Sequence, residues 1–455
     1  MNTAPVGSLY TRVAAGVLFP LHERLKGHDS VRIRRELEQS QWWAPERLRA
    51  LQLQRLRALL EEANEQVPYY RALFSKVGFD PRGVRQLSDL QLVPPLTKAE
   101  IRANTKALKS DRAAGLARSN TGGSSGEPLI FYIGRERASH DVAAKWRATR
   151  WWGVDIGDPE IVVWGSPIEL GAQDRVRMVR DCIMRSELLP AFEMSEAKLD
   201  RFIARIRRRR PAMLFGYPSS LALIARHAER RGIAMNDLGA KVAFVTSERL
   251  YDHQRETIAR VFGCRVANGY GGRDAGFIAH ECPMGGMHIT AEDIVVEIID
   301  SRGNPVPPGT AGEVVTTHLA TRDFPFIRYR TGDIAILDDK ACLCGRGLPL
   351  LKEIQGRSTD FVVAADGTMM HGLALIYVIR NLSGIAAFKI IQESRLLTRV
   401  QIVRGPGFEP SARQAIVDGL CARLGAGTEV AVEDVAAIPP DRSGKYRYVV
   451  SKVTA

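Results

Sequence analysis

The sequence lacks an apolar run long enough to cross a membrane as a helix. The best candidate, residues 13–21, has about half of the ~20 residues that such a helix requires, and charged residues follow it. No small-residue cleavage site comes after it, which is untypical of a secretory signal peptide. We therefore expect a cytoplasmic protein without a transmembrane segment.

Cysteines and acidic residues are both scarce. Six cysteines in 455 residues are too few for a disulfide framework, and Cys182, Cys264 and Cys421, which have no ligand residues nearby in sequence, are predicted to lie in the core. The 51 Asp and Glu residues are outnumbered by 64 Lys and Arg residues. The resulting net charge of +13 favours anionic partners such as ATP, CoA, nucleic acid or an anionic membrane surface.

A recognisable nucleic-acid-binding module is also missing. The basic run at residues 207–210 invites that interpretation, but it ends a predicted helix just before Pro211, where the helix dipole favours cations. We therefore expect no nucleic-acid partner. Peripheral contact with a membrane surface stays open, and the sequence does not indicate the oligomeric state.

Internal repeats and low-complexity linkers are absent, so the domains have to be inferred from changes in local pattern. Residues 1–110 have the spacing of mainly helical structure. Continuous apolar runs then appear at residues 161–164, 213–215 and 242–245. Such runs, bounded by Gly, Pro or Ser, are typical of buried strands in an α/β sheet.

The pattern changes again in the second half of the chain. Apolar runs alternate with turn residues and predict antiparallel strands at residues 294–299, 312–317 and 334–337. From residue 358 onward the pattern predicts a small α+β unit. Its predicted elements are strands at residues 388–392 and 398–403 and a helix at residues 411–424.

The strongest local signal is the stretch SNTGGSSGEP at residues 119–128. Its three glycines let backbone amides approach an anion closely, and its hydroxyls supply further donors to phosphate oxygens. It is not a Walker A loop, because no Gly-Lys-Ser/Thr follows. Taken alone, the stretch is equally typical of a surface turn.

Several shorter motifs accompany this stretch in a fixed order. They are VPYYR at 67–71, GYPSS at 216–220, TSE at 246–248, NGYGGRD at 268–274, RTGD at 330–333, GR at 356–357 and SGK at 443–445. Their order resembles the adenylate-forming superfamily of acyl-CoA synthetases, luciferases and peptide-synthetase adenylation domains. The resemblance is greatest to the branch of phenylacetate–CoA ligases and CapK-like proteins, and it covers nearly the whole chain.

This resemblance implies an α/β adenylate-forming fold. A large N-terminal domain (residues 1–357) would be followed by a small, mobile α+β domain (residues 358–455), with a hinge at residues 356–360. The implied activity is ATP-dependent activation of a carboxylic acid as acyl-AMP, followed by acyl transfer to CoA. Two alternatives stay open: transfer to an amine, sugar or carrier, and a catalytically idle nucleotide-binding scaffold. The sequence does not name the acid.

The resemblance also implies roles for individual residues. A loop that would close over the β- and γ-phosphates of ATP comprises Thr121, Gly122, Gly123, Ser124, Ser125 and Gly126. The adenine would be bordered by Ser247, Glu248, Asn268, Tyr270 and Gly271. Asp333 would hold the ribose hydroxyls, with Arg357 nearby. Lys445, which alone would be a solvated turn lysine, would stabilise the charge that develops during adenylation.

Asp274 departs from the pattern of the superfamily, which usually has Glu at this position to help hold Mg²⁺. Aspartate is shorter by one methylene but is still a hard oxygen ligand, so we expect it to serve both the catalytic step and Mg²⁺ binding. The departure puts the metal geometry in question, but not the class of reaction.

Cys282, His288, Cys342 and Cys344 form a second constellation. Thiolate and imidazole are the ligands that zinc prefers, and three Cys with one His would complete a closed structural site. The spacing is not that of a zinc finger, and buried structural cysteines are the alternative. CapK-like proteins resemble this chain in carrying these four residues, which favours zinc. His280 is a substitute ligand candidate.

Overall fold

The computed structural model describes residues 8–121, 129–164, 175–191, 193–300, 302–355, 361–438 and 448–453. Its α-helices are α1 Leu9–Val13, α2 Phe19–Leu25, α3 Ser30–Ser40, α4 Pro45–Gln66, α5 Pro68–Val77, α6 Lys98–Ala103, α7 Arg135–Arg150, α8 Arg175–Ile183, α9 Glu196–Arg209, α10 Pro218–Arg230, α11 Asp252–Phe262, α12 Leu373–Arg380 and α13 Ser411–Leu424. A π-helical turn, Ala14–Leu18, joins α1 to α2, and short 3₁₀ turns cover Pro81–Gly83 and Leu87–Leu92. None of the helices in these ranges is both long and apolar enough to span a membrane.

The β-strands fall into one large sheet and three small ones. In chain order they are β1 Ala117–Asn120, β2 Ile130–Ile133, β3 Glu160–Trp164, β4 Ser186–Pro190, β5 Glu193–Met194, β6 Met213–Gly216, β7 Val242–Thr246, β8 Arg265–Gly272, β9 Gly276–Glu281, β10 Met287–Ile289, β11 Ile294–Ile299, β12 Ala311–His318, β13 Tyr329–Asp338, β14 Leu350–Ile354, β15 Phe361–Val363, β16 Met369–His371, β17 Ile385–Gln392, β18 Leu397–Arg404, β19 Glu429–Asp434 and β20 Val449–Ser451.

The large sheet has eleven strands in the order β11-β12-β13-β14-β10-β9-β8-β7-β6-β3-β4. Strands β4, β3, β6, β7 and β8 run parallel to one another. From the β8–β9 pair to the β11 edge, all pairs are antiparallel. Helices α9, α10 and α11 bury their apolar side chains against the parallel half. The predicted α/β fold is confirmed, together with the buried parallel strands and the antiparallel strands after residue 294.

The N-terminal helices pack against the antiparallel half of the sheet. Helix α4 contributes buried leucines to the main core, namely Leu48, Leu56, Leu59 and Leu60. It ends at Gln66, as expected from a proline at residue 68 that biases Val67 away from helix. The hydroxyl of Tyr70 donates a hydrogen bond to the Pro325 carbonyl (3.0 Å) and accepts one from the Ile327 amide (2.9 Å).

A buried acidic turn before β11 also ties these helices to the sheet. The Glu292 carboxylate lies 2.6 Å from the Arg147 guanidinium, and both side chains are about 1% exposed. Asp293 binds Arg55 (2.9 Å) and His140 (2.8 Å). Burial raises the pKa of Asp293, but His140 and Arg55 outweigh it and hold the pKa well below its usual range. Loss of one partner would leave a buried charge uncompensated, so these pairs fix the helices in position.

The C-terminal region builds its own core. Strands β17, β18, β19 and β20 form a four-stranded sheet, and α12 and α13 pack on it in an apolar cluster drawn from residues 362–449. Helix α13 has the predicted bounds, and the two predicted strands lie within β17 and β18. One short pairing, between β16 and β5, joins this region to the rest of the chain. The predicted domain boundary at residue 357 lies outside the described residues.

Candidate active site

The carboxyl ends of the parallel strands carry the first group of predicted site residues. Ser247 directly follows β7 and has a φ of +73°, in the left-handed region that a non-glycine residue rarely adopts. The next residue, Glu248, accepts hydrogen bonds from the backbone amide and the hydroxyl of Ser219. Ser219 lies in the first turn of α10, so the carboxylate is held at a helix N-terminus, where negative charge is favoured. The carboxyl ends of parallel strands are where α/β sheets bind ligands.

Two distant motifs meet beside this edge. The hydroxyl of Tyr270 in β8 donates to Asp333 in β13 (3.2 Å), and the hydroxyl of Tyr329, also in β13, donates to Asp274 (2.5 Å). Three strands separate β8 from β13 in the hydrogen-bonding order, so the sheet must curve strongly to allow these contacts. The structure therefore brings together Tyr270, Asp274 and Asp333, which the sequence predicted to act on one nucleotide.

The turn that carries Asp274 is fixed by Arg137 of α7. The Arg137 guanidinium donates to the carbonyl oxygens of Arg273 (3.2 Å) and Asp274 (3.4 Å), to Thr321 (3.2 Å) and to Asp141 (3.0 Å). Burial raises the pKa of Asp141, but the Arg137 guanidinium and the neighbouring His318 bring it below its usual value. The buried, charged Arg137 side chain thus fixes the β8–β9 turn through the backbone carbonyls of the turn.

Asn268 and Gly271 lie in β8 on either side of Tyr270. The Asn268 amide donates to the Glu281 carboxylate (2.8 Å), which also pairs with Arg255. A Cβ at Gly271 would overlap the carbonyl oxygen of Gly276, so the β8–β9 hairpin itself requires glycine there. Gly271 thus has a structural role that the sequence alone did not indicate.

The glycine- and serine-rich stretch is flanked by β1 and β2, which form an antiparallel pair. Its described ends are Thr121 and Leu129, which exchange two hydrogen bonds: the Thr121 amide donates to the Leu129 carbonyl (3.1 Å), and the Leu129 amide donates to the Thr121 hydroxyl (3.0 Å). Several predicted phosphate-binding residues lie outside the described residues, namely Gly122, Gly123, Ser124, Ser125 and Gly126. Arg357 and Lys445 also lie outside them.

The predicted metal ligands come together between β9, β10 and the segment before β14. One donor atom from each of Cys282, His288, Cys342 and Cys344 lies within 4.8 Å of all the others. The sulfurs of Cys282 and Cys342 are 3.6 Å apart, far longer than the ~2.05 Å of a disulfide. Two thiolates about 2.3 Å from one tetrahedral zinc would be about 3.8 Å apart, so the spacing suits a shared ion.

The surroundings of this cluster match those of a metal site. The Nδ1 atom of His288 faces the Leu348 carbonyl (3.4 Å), which turns Nε2 towards Cys344 (3.1 Å). Burial lowers the pKa of His288 to about 4, so its imidazole is neutral at neutral pH. A Cβ at Gly286 would lie 2.6 Å from the Cys342 sulfur, so only glycine lets the two loops approach this closely.

The remaining cysteines and the substitute ligand lie elsewhere. His280 packs between the rings of Phe244 and Phe277 and takes no part in the cluster. Cys264 is buried as predicted, and Cys421 is partly buried. The prediction of a core position was wrong for Cys182, which is exposed on α8. Its neighbouring charged residues, Arg180 and Asp181, explain why this part of the helix faces solvent.

Sequence reasoning missed three contributors to the site. Trp164 at the end of β3 stacks on Tyr217 after β6, with ring centroids 4.4 Å apart, and forms an aromatic wall beside Ser247. Tyr329 could have been suspected, because it directly precedes the RTGD motif. Arg137 gives no signal, since an arginine in an amphipathic helix is ordinary.

Comparisons with known proteins agree with this architecture. Residues 362–452 match the family model described as the CapK C-terminal domain. The phenylacetate-coenzyme A ligase of Thermus thermophilus is 26% identical over 339 residues, covering 70% of this chain and 72% of the relative. Protein CapK of Staphylococcus aureus is 22% identical over 407 residues and covers 89% of both chains.

Solved structures show the same fold. The crystal structure of 2-hydroxyisobutyryl-CoA ligase with 2-HIB-AMP and CoA superposes with a TM-score of 0.66 at 22% identity, covering 90% of this chain and 91% of that chain. The same ligase in its postadenylation state gives a TM-score of 0.58. In its ordered motifs, its fold and these relatives, the chain is similar to the adenylate-forming superfamily, and within it to the branch of phenylacetate–CoA ligases and CapK-like proteins.

Proposed function

We propose that this protein activates a carboxylic acid with ATP, releasing pyrophosphate, and then transfers the acyl group from acyl-AMP to CoA. The observation that carries the proposal is the pair of hydrogen bonds from Tyr270 to Asp333 and from Tyr329 to Asp274. These bonds assemble two nucleotide motifs at the carboxyl edge of the parallel strands. Relatives named phenylacetate-coenzyme A ligase, 26% to 28% identical, support the same reaction.

The chemistry needs no protein nucleophile. An oxygen of the substrate carboxylate attacks the α-phosphorus of ATP, and the bond from that phosphorus to pyrophosphate breaks. The thiolate of CoA then attacks the acyl carbonyl carbon, and AMP leaves. The protein has to orient the reactants and stabilise the negative charge that develops at the α-phosphate. Lys445 supplies a positive charge for the first step in this proposal.

The nucleotide would lie along the ends of β7, β8 and β13. Asp333 binds the ribose hydroxyls, and the Tyr270 hydroxyl orients its carboxylate for that contact. Ser247 and Glu248 border the adenine with Asn268. The loop from Thr121 to Gly126 covers the β- and γ-phosphates, and Arg357 lies beside the ribose. ATP and CoA are both cytoplasmic substrates, which favours a cytoplasmic location.

A magnesium ion fits this arrangement through Asp274. The carboxylate lies on the turn between β8 and β9 and accepts a hydrogen bond from Tyr329, while Arg137 donates to the backbone carbonyl of Asp274. Such a fixed, hard oxygen ligand suits Mg²⁺. When bound, the ion would offset the charge of the phosphates that leave as pyrophosphate.

A second candidate acceptor is an amine, a sugar or a carrier. The observation that favours it is the extent of the relationship to CapK: protein CapK covers 89% of the chain, whereas the matches to the phenylacetate-coenzyme A ligases cover 70% to 72%. The C-terminal region, which matches the CapK model, is also the part that would present the acceptor. The third alternative, a nucleotide-binding scaffold without catalytic activity, has less support. The carboxylates of Asp274 and Asp333 are both held in position by tyrosine hydroxyls, as a catalytic site would need.

Zinc is the metal that best suits the cluster of Cys282, His288, Cys342 and Cys344. Four protein ligands close the coordination shell and leave no position for a substrate, so the ion would be structural. Arg346, two residues after the last ligand, stacks against Trp42 and Trp151 and donates a hydrogen bond to the side-chain oxygen of Gln41 (3.1 Å). The ion would thereby connect the N-terminal helices with the sheet next to the nucleotide residues.

The test of the proposed function is pyrophosphate release from ATP with a panel of aryl and alkyl carboxylic acids, with and without CoA. We expect one class of acid to stimulate release, and CoA to allow repeated turnover with AMP and acyl-CoA as products. Release that amines or sugars accelerate and CoA does not would identify the second candidate. No stimulation by any acid, with ATP still bound, would favour the scaffold.

A further inference from the structure

The first helical segment exposes an unusual row of apolar side chains. Its members are Leu9, Val13, Val17, Leu21 and Leu25, and each is between 42% and 80% exposed. Single exposed apolar residues are ordinary on a protein surface, but a continuous row along one helix is not. The row extends over the whole segment, which is about 25 Å long at 1.5 Å per residue.

The opposite face of the segment attaches it to the protein mainly through small and polar residues. The Thr11 hydroxyl donates to Asp158 (2.7 Å), and Ala14 lies directly against Gly157. Glu23 is buried and accepts a hydrogen bond from Ser30 (2.5 Å). Phe19 adds one aromatic contact, to Trp146 (ring centroids 5.0 Å apart). The usual arrangement is thus largely inverted, since the row of five apolar side chains points outward.

A π-helical turn keeps the row on one face. In an α-helix four residues rotate about 40° beyond a full turn. Side chains spaced four apart would therefore shift gradually around the helix instead of staying on one face. The π-helical turn Ala14–Leu18 accommodates an additional residue and reverses part of that drift. The row therefore stays straight enough to meet a flat surface.

The neighbouring helix α8 enlarges the patch. Its exposed apolar residues are Val179 (59% exposed) and Ile183 (40% exposed), and the Tyr10 hydroxyl donates to the Ile183 carbonyl (2.6 Å). We name this patch the N-terminal apolar surface; it comprises Leu9, Val13, Val17, Leu21, Leu25, Val179 and Ile183. Two helices in contact thus present apolar side chains on the same side of the molecule.

The exposed charges of the first helical segment have one sign. Within residues 8–28 the exposed charged side chains are Arg12, Arg24 and Lys26, and the one acidic residue in that range, Glu23, is buried. Arg185 lies over the ring of Tyr10 at 5.3 Å and adds a further positive charge. An apolar helix face with a basic border is the combination that binds the interface of anionic bilayers.

A second copy of the chain fits this surface poorly. A two-fold contact would bring the same patch of both copies together, and with it Arg12, Arg24 and Lys26 of each copy. No exposed acid lies within residues 8–28, and the acids that border the surface, Asp29 and Asp181, are already paired with Arg32 and Arg180. Like charges at such a contact oppose association, whereas anionic headgroups would be attracted.

We propose that the N-terminal apolar surface docks the protein on the anionic headgroup layer of a phospholipid bilayer, with residues 9–25 lying in the plane of the interface. The row of leucines and valines would enter the boundary between headgroups and acyl chains, and the basic side chains would bind lipid phosphates. This attachment is independent of the proposed reaction.

The test measures co-sedimentation of the full chain with phosphatidylglycerol vesicles and with phosphatidylcholine vesicles. We expect binding to the anionic vesicles that weakens with added salt, and much weaker binding to the neutral ones. The double variant Val17→Asp, Leu21→Asp should lose at least tenfold in vesicle affinity. The triple variant Arg12→Gln, Arg24→Gln, Lys26→Gln should lose about fivefold for each charge removed.

The matched control changes two exposed leucines elsewhere, Leu92→Asp and Leu396→Asp, which are 68% and 56% exposed. This control should bind vesicles like the unchanged protein, and circular dichroism should show that all variants melt alike. Absence of vesicle binding by the unchanged protein, or equal loss in the control, would overturn the proposal. So would light scattering that shows a dimer which Val17→Asp, Leu21→Asp converts to a monomer, since a second copy would then be the occupant.

Discussion

At the scale of single residues, two tyrosines decide how the site is organised. Tyr270 and Tyr329 each direct a hydroxyl at an aspartate of another motif, and Tyr329 is fully buried. A hydrogen bond to a charged group contributes about 1.5–3 kcal/mol, which is enough to fix the orientation of a carboxylate. The aspartates are therefore held in place before the nucleotide binds, as electrostatic catalysis requires.

Replacing Tyr329 with phenylalanine tests the magnesium role of Asp274. Tyr329→Phe keeps the ring but removes the hydroxyl, so kcat/KM should fall by about tenfold or more and half-saturation should require more Mg²⁺. Steady-state kinetics over a series of Mg²⁺ concentrations measures both effects. Tyr70→Phe is the matched control: it removes another buried hydroxyl, which binds the backbone of Pro325 and Ile327 and not an aspartate, and it should lower the melting temperature without changing the Mg²⁺ requirement.

Removing Asp333 should weaken nucleotide binding in the ground state. Asp333→Ala deletes the carboxylate proposed to bind the ribose, so the Kd for ATP should rise by about tenfold or more. Calorimetric titration with ATP in the absence of the acid measures this directly. Asp338→Ala, at the far end of the same strand, should leave the Kd unchanged. Equal affinity in Asp333→Ala and the unchanged protein would show that the ribose lies elsewhere.

At the scale of elements, the cysteine cluster connects two loops that flank the nucleotide motifs. Burial raises the pKa of the Cys282 thiol to about 12. Partial burial also raises the pKa of Cys344, but hydrogen bonds from the backbone and side chain of Arg346 outweigh it and leave the pKa below its usual value. The four groups lie within 4.8 Å of one another, so a single cation, as proposed, would contact all of them.

The zinc proposal predicts a measurable metal content. Elemental analysis of protein purified without added metal should find about one zinc per chain. Cys342→Ser with Cys344→Ser should remove the zinc and lower the melting temperature, and activity should fall as a consequence. Cys182→Ser, which changes an exposed cysteine, should keep both the metal and the melting temperature. Full zinc content in the double variant would exclude this ligand set.

The sequence predicted the site residues that lie within short motifs, but not the contacts that depend on how the elements pack. Asp274, Asp333 and the four metal ligands lie within short motifs, so residue types and order were enough to indicate them. The hydrogen bonds from Arg137 to the β8–β9 turn depend on the packing of α7 against that turn, which no local sequence pattern encodes. The requirement for glycine at position 271 likewise arises from a close approach of two strands. The first feature joins residues 136 positions apart in the sequence, and the second depends on the exact pairing within the β8–β9 hairpin.

At the scale of the whole molecule, the C-terminal region has its own apolar core and pairs with the rest of the chain in the short β16–β5 ladder. A separate core is what domain rotation requires. We propose that this region turns about residues 356–360 between the two half-reactions. Lys445 would enter the site in the first half-reaction and leave it in the second.

The Lys445→Ala variant tests whether Lys445 acts in the first half-reaction and not in the second. The lysine acts on charge that develops during adenylation, so its loss should lower the rate of acyl-AMP formation by about a hundredfold or more while ATP binding stays nearly unchanged. Single-turnover kinetics separates the two quantities. Thioester formation from added acyl-AMP and CoA should persist. The matched control is Lys452→Ala, because Lys452 pairs with Glu393 on the C-terminal sheet and should not affect either half-reaction.

Adenylation is the central claim, and direct detection of acyl-AMP tests it. The protein is incubated with ATP, Mg²⁺ and an acid that stimulates pyrophosphate release, without any acceptor, and the bound products are identified by mass spectrometry. We expect one acyl-AMP per active site, and much less with Asp333→Ala when the ATP concentration is close to the Kd of the unchanged protein. Pyrophosphate release without acyl-AMP, or the same amount of acyl-AMP in Asp333→Ala, would contradict the account.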